Sequence, residues 1–234
     1  MFKKEQIQNF LYLDVETVSA YPSIGELAMN DPRGYKLWKK RELYYKTAYD
    51  EMKDCDEAEI YLEKAGLEPE FSRIVCISFG TISDSGEKRF KSFYGDDERD
   101  ILEKTIKVLN NASLKGWKLC GHNIKGFDIP CIGKRLIYNK MPLPASLIIW
   151  DKKPWELPFI DTTDVFAFGS WSHQKYLSLD LLSSALGIPS PKVDMDGSMV
   201  NLYYWKNKDY EGIKTYCESD VNTVISAIET VSFW

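Results

Sequence analysis

With 234 residues, 44% of them hydrophobic and 28% charged, the chain has the make-up of a globular protein with one substantial core, or at most two small ones. Its apolar runs, such as Leu147–Trp150, are too short to span a bilayer, MFKKEQIQNF lacks the apolar core of a secretory signal, and five cysteines with no close pair do not form a disulfide framework, so a reduced, cytoplasmic protein without membrane contact is expected. A net charge of −5 argues against an electrostatic grip on long nucleic acid, but leaves room for an enzyme that engages a short end through metal ions.

The stretch FLYLDVET, Phe10 to Thr17, reads as a strand. Side chains alternate faces, so Leu11, Leu13 and Val15 share one face, and Phe10, Tyr12, Asp14 and Glu16 share the other. Two carboxylates this close repel, and acids are rarely buried unless paired. From about Ser19 to Ser72 the chain turns polar, aromatic and rich in helix formers. A helical insertion covering a sheet edge is expected there, with one wall of a substrate groove as the alternative. Trp38, Tyr44 and Tyr45 are read as packing residues rather than base-stacking ones.

RIVCISFGTI (Arg73–Ile82) is a β-branched strand, and KRFKSFYG is its antiparallel partner across the turn SDSGE. DDERDILEKTIKVLNNA carries helical spacing at Ile101, Leu102, Ile106 and Leu109. KGWKLCGHN is a short strand leaving at Gly121, followed by a helix from about Ile129 to Tyr138. An irregular stretch covers Met141 to Pro158. FIDTTDVFAF runs from strand to helix, and SLDLLSSALG is a helix capped by Ser178 and ended by Gly187. IPSPKVDMDGSMV has loop composition. The last helix starts after Asp209 and carries Ile213, Cys217, Val221, Val224, Ile228 and Val231 on one stripe. The pattern is an α+β or α/β single domain spanning residues 1–234.

Two further acids stand out by context. Asp128, in GHNIKGFDIP, lies where a strand exit meets a helix with Pro130 in its first turn. Asp220, in YCESDV, shares a helical face with Tyr216 and is expected to reach over the sheet edge. Were these four carboxylates to converge, they would need strong positive charge between them. Oxygen donors without a His or Cys cluster suit Mg²⁺ or Mn²⁺ rather than zinc. A pair of such ions can drive phosphodiester hydrolysis.

LDVET, HNIKGFDIP and YCESDV, in this order, resemble the three motifs of the DEDD 3′→5′ exonucleases, in the subclass with tyrosine in the last motif. EFSRIVCISFG, DTTDVFAFG, LSLDLLSSALGIP and DMDGSMV extend the resemblance to stand-alone exonucleases related to the proofreading domain of family B DNA polymerases. The resemblance implies an RNase-H-like fold with a central mixed sheet flanked by helices. It implies that Asp14, Glu16 and Asp220 ligate the tighter of two divalent ions, that Asp14 bridges to the second, and that Asp128 helps hold that second ion. Tyr216 would orient the attacking water. Asn123, Phe127 and Thr17 are the expected substrate contacts. For Asn123, bonding the strand-exit backbone is the equal alternative, and for Phe127 it is core packing.

Other residues invite simpler readings. His122 is expected to be structural rather than a phosphate contact, and His173 has no ligand-spaced companion. Cys217 reads as a small buried residue. Of Phe166, Phe168 and Trp171, at least two are expected in the core. Lys192 and Asp196 are read as solvated loop charges. The expected activity is hydrolysis of a single-stranded DNA 3′ end to nucleoside 5′-monophosphates, with any proofreading or repair partner acting in trans. RNA 3′-end trimming is the nearest alternative. An end-binding module is further off, because the sequence shows no basic stripe.

Overall fold

The structure is a computed structural model that describes residues 2–169, 177–190, 195 and 197–232. A short helix α1 (Lys4–Ile7) leads into β1 (Phe10–Ser19). The helices α2 (Ile24–Asn30), α3 (Pro32–Ala48) and α4 (Glu57–Lys64) follow, and then the hairpin strands β2 (Ser72–Ile82) and β3 (Lys88–Tyr94). Next come α5 (Glu98–Leu114), β4 (Lys118–Gly121), α6 (Asp128–Tyr138), β5 (Phe159–Asp161) and α7 (Thr162–Ala167). The chain closes with α8 (Leu179–Leu186), the single turn α9 (Val200–Leu202) and α10 (Tyr210–Thr230).

The five strands form one sheet in the order β3-β2-β1-β4-β5. β2 runs antiparallel to β1 and β3, whereas β4 pairs parallel with β1 and β5, so the sheet is mixed. The period-2 pattern of β1 is realised on both faces. Leu11, Leu13 and Val15 pack with Ile77 and Phe79 under Leu102 of α5 and Ile132 of α6. Phe10 and Tyr12 pack under Val221, Val224, Ile225 and Ile228 of α10. Fully burying such side chains contributes roughly 1.5–3 kcal/mol each, and this locks the register.

Gly80 faces Tyr12 across the β1–β2 ladder. A Cβ at Gly80 would lie 2.7 Å from Val221 Cγ1 and 2.9 Å from Ile225 Cδ1, so a glycine there lets α10 lie close on the sheet. The helix therefore crosses the face of the central strands. The sequence reading placed Tyr216 and Asp220 over a sheet edge, but β1 is the middle strand, flanked by β2 and β4.

The β1–β2 ladder breaks between Glu16 and Thr17, where Val75 is skipped. Beside the bulge, Ile74 and Ile77 fall on the α5 side, while Val75 and Cys76 both turn towards Tyr216 and Cys217 of α10.

The segment between β1 and β2 is helical, as expected, and builds its own small core. Trp38 is fully buried and meets Tyr61 and Phe71 edge-on at 5.1 Å each, and Tyr45 joins them, which bears out the packing role of both residues. Tyr44 is instead half exposed. The insertion does not cover a sheet edge. Its turn Ala65–Leu67 lies against the last residues of the central strand, and Thr17 Oγ1 donates to the Gly66 carbonyl at 2.6 Å.

Later helix ends follow the sequence signals. Ser178 accepts from the Leu181 amide at 3.2 Å, Gly187 adopts φ 67°, and Asp209 accepts from the Gly212 amide at 2.9 Å. The stretch 141–158 holds two short 3₁₀ turns.

Candidate active site

β4 ends at Gly121, where a Cβ would stand 2.9 Å from the Leu13 carbonyl oxygen. Beyond that point β1 has no parallel neighbour, and Asp14 and Glu16 occupy this part of the strand. The first turn of α6 brings Asp128 to the gap, where it is 3% exposed. From the opposite face, α10 contributes Tyr216 and Asp220, four residues apart and hydrogen-bonded to each other.

The electrostatics tie these five residues into one group. Burial pushes the Asp14 carboxyl up to about 7, and the charge of Asp128 adds to this, while hydrogen bonds with Cys217 and Glu16 and from the Val15 amide act the other way. Glu16, 8% exposed, is driven far above its ordinary range by burial first, then by Asp14, Asp220, Cys76 and Asp128. Asp128 rises to about 8 through burial. Its own amide and that of Val15 counteract this, and Asp161 and Asp220 add to it. The Tyr216 phenol is likewise raised, by burial and then by Asp220, Glu16 and Asp14.

Among the described residues, no lysine or arginine forms an ion pair with Asp14, Glu16 or Asp128. At neutral pH the group cannot be fully ionised unless a cation enters. Oxygen donors from Asp14 and Glu16 come within 4.8 Å of each other and of Cys217 Sγ, close enough to share an ion. The donor chemistry fits a hard divalent cation, with one amendment to the sequence reading. Cys217 is more than a small filler, since its thiol donates to Asp14 Oδ2 at 3.3 Å. Cys76 stands directly across the ladder from Glu16. The acids are therefore flanked by sulfur, which one residue on β2 and one on α10 bring in from far apart in sequence.

The loop before α6 is set by a residue the sequence reading passed over. Asp161 ends β5 and is 4% exposed. Its Oδ1 accepts from the amides of Asn123 and Thr163, both at 2.9 Å, and its Oδ2 accepts from the Lys125 amide at 3.1 Å. One carboxylate thus caps α7 and pins the strand exit that aims Asp128. The D-T-T sequence signals the cap, but nothing in it signals a loop 38 residues away.

Asn123 takes the left-handed backbone with φ 54°, and its carbonyl accepts from the amides of Gly126 and Phe127. These are main-chain bonds, which hold the turn whatever the Asn123 side chain does. Phe127 is half-buried and belongs to none of the four apolar clusters formed by the described residues. Thr17 spends its hydroxyl proton on Gly66, as described above.

His122 is held at both ring nitrogens. Because a carbonyl only accepts, Nε2 donates to Leu177 O at 2.7 Å, and Nδ1 accepts from Thr162 Oγ1 at 2.7 Å. Burial lowers its pKa, which keeps the ring neutral and structural. Of the three aromatics of which at least two were expected in the core, Phe168 is 88% exposed at the left-handed end of α7 and Phe166 is half-buried outside the clusters. The positive φ at residue 168 turns the chain outward. Trp171, His173, Lys192 and Asp196 lie outside the described residues.

The profile of a family described as predicted 3′–5′ exonuclease related to the exonuclease domain of PolB matches residues 66–226, well over half of the chain. That segment holds Asp128, Tyr216 and Asp220 and starts downstream of Asp14 and Glu16. Among solved structures, the family B DNA polymerase from the hyperthermophilic archaeon Pyrobaculum calidifontis superposes with a TM-score of 0.61 at 15% identity, over 95% of this chain. The chain spans 24% of that polymerase. No curated protein matches. The fold is the RNase-H-like arrangement of a family B polymerase exonuclease domain, a mixed five-strand sheet between helices. The chain belongs to the family of predicted 3′–5′ exonucleases related to the PolB exonuclease domain.

Proposed function

We propose that this chain hydrolyses single-stranded DNA from its 3′ end and releases nucleoside 5′-monophosphates. One observation carries the reading. Asp14, Glu16 and Asp128 meet in a buried site where no lysine or arginine among the described residues pairs with them, with Asp220 and the phenol of Tyr216 completing the group. Asp14, Glu16, Asp128 and Asp220 would hold two divalent ions, Mg²⁺ or Mn²⁺. When bound, these ions supply Lewis acidity and neutralise charge on the phosphate.

The protein's own groups place the reactants. Water attacks the terminal phosphodiester in line, and the 3′ oxygen departs on the opposite side. Tyr216 cannot act as a free base, because its proton is held more tightly than in an ordinary phenol. It instead orients the water through its hydroxyl, steadied by Asp220. Asp161 and Asn123 fix the loop that aims Asp128, and they act as positioning residues. The half-buried ring of Phe127 would lie against the terminal base.

The test is a time course on 3′-labelled and 5′-labelled single-stranded DNA and RNA oligomers with Mn²⁺, Mg²⁺ or EDTA. The expected result is a descending ladder from 5′-labelled DNA, early mononucleotide from 3′-labelled DNA, and silence in EDTA. Faster loss of RNA would transfer the reading to RNA trimming, and intact polymers throughout would overturn it.

A further inference from the structure

Away from the acids, three adjoining clefts carry a chemistry of their own. The first, about 230 Å³, lies against α6 and is lined by Lys125, Ile129 and Trp150 among mainly apolar residues. It starts three residues before Asp128 in sequence. It shares the wall residue Leu157 with a second cleft of about 390 Å³, which holds Lys118, Lys152 and Trp155. That cleft shares Trp117 with a third of about 570 Å³, which holds Lys115, Lys91 and Arg89.

Trp150 and Trp155 are 75% and 77% exposed, unusual for so large an apolar side chain. Lysines stand over two of the indoles, Lys115 at 4.5 Å from the Trp117 ring and Lys153 at 5.4 Å from that of Trp155. Among the described residues, the carboxylates lining the clefts are Glu156 and Asp84. Arg89 and Lys125 are paired to Glu87 and Asp164, while Lys91, Lys115, Lys118 and Lys152 have no ion-pair partner among the described residues. On a chain with net charge −5, this is a concentrated basic and aromatic path. The sequence hides it, because residues 115–118 and 150–155 meet only in the fold.

We propose that this path binds single-stranded nucleic acid, carrying the body of a strand whose 3′ end sits among the acids. The inference rests on the nuclease reading above for its polymer and its direction. Indole faces alternating with ammonium groups match a polymer that alternates bases and phosphates. An acid-lined site needs such help, because by itself it repels a polyanion.

Binding in EDTA isolates the path, since without metal the acid site contributes repulsion. Anisotropy of 5′-labelled oligo-dT would be compared at about 4 and about 20 nucleotides. The variants are Trp150→Ala with Trp155→Ala, and Lys118→Glu with Lys152→Glu. All four side chains are exposed, so the variants should melt with the parent. Each pair should weaken the longer oligomer at least about tenfold and leave the shorter one unchanged. The lysine pair should also flatten the salt dependence. In Mn²⁺, cleavage of the short oligomer should proceed at the parent's rate. A parent that binds the long oligomer in EDTA but cleaves nothing supports the path and sinks the nuclease reading. Cleavage with variants that bind the long oligomer like the parent overturns the path alone. A parent indifferent to oligomer length overturns it too and makes the tryptophans a docking surface for a protein.

Discussion

Two buried glutamates illustrate how differently the molecule treats its charges. Glu42, on α3 of the insertion, is 6% exposed and receives Lys39 at 2.6 Å and Lys46 at 2.9 Å. Burial alone would raise its pKa, but the hydrogen bonds from these lysines prevail and hold it below the ordinary range. Glu16, at 8%, is buried almost as deeply, yet its nearest charges are other acids, and it is driven far up. Glu98 is also given a basic partner, gripped at both oxygens by Arg135 at 2.8 and 2.6 Å. The fold can thus neutralise a buried carboxylate where it needs only a stable structure. Around β1, no lysine or arginine among the described residues does so.

Breaking the acid group should give the largest effect. Asp14→Ala is expected to lower hydrolysis by a factor of about a thousand or more while the fold survives. Full activity in the oligomer assay would remove Asp14 from the site. The second effect is on stability and sharpens the contrast. Glu98→Ala strands Arg135 and should cost about 3–5 kcal/mol in urea unfolding, whereas Glu16→Gln in EDTA should cost nothing or stabilise. Equal losses would mean that Glu16 already has an internal partner.

The third prediction concerns pH. Folded-state pKa values of about 7 for Asp14 and about 8 for Asp128 lie above those of the unfolded chain. Their contribution is therefore complete below the unfolded value, near pH 4, and is lost as pH rises through the folded values. In EDTA, Tm should fall by on the order of 10 °C or more between about pH 5 and about pH 8.5. Mg²⁺ or Mn²⁺ should reverse most of that fall. A metal-free Tm that is flat over this range would show that the acids are not strained. The smallest effect is at Tyr216→Phe, where turnover should drop about tenfold with the metal-induced Tm shift intact. Unchanged turnover would leave the phenol no part in the reaction.

The local signals in the sequence were readable where chemistry and geometry coincide within a few residues. Alternation in Phe10–Thr17 gives the two faces of β1, Asp209 gives the start of α10, and the i, i+4 spacing puts Tyr216 beside Asp220. What stayed hidden depends on long-range register. Cys76 meets Glu16 through the β1–β2 ladder, and Asp161 reaches Asn123 through the pairing of β4 with β5. The position of β1 at the sheet centre, and with it the path of α10, follows from strand order. Alternation within one strand carries no record of that order.

The skipped Val75 gives β2 a phase that neither end of the strand could reach alone. Upstream of it Ile74 faces α5, and downstream of it Ile77 does so too, three residues later rather than two or four. Without the bulge, this sequence would have to choose between keeping Ile74 on the α5 side and keeping Cys76 opposite Glu16. The added residue lets it have both. Deleting Val75 should therefore close the ladder into regular alternation, leaving Ser72 to Ile74 on their present faces and removing one side chain from the packing against Tyr216 and Cys217.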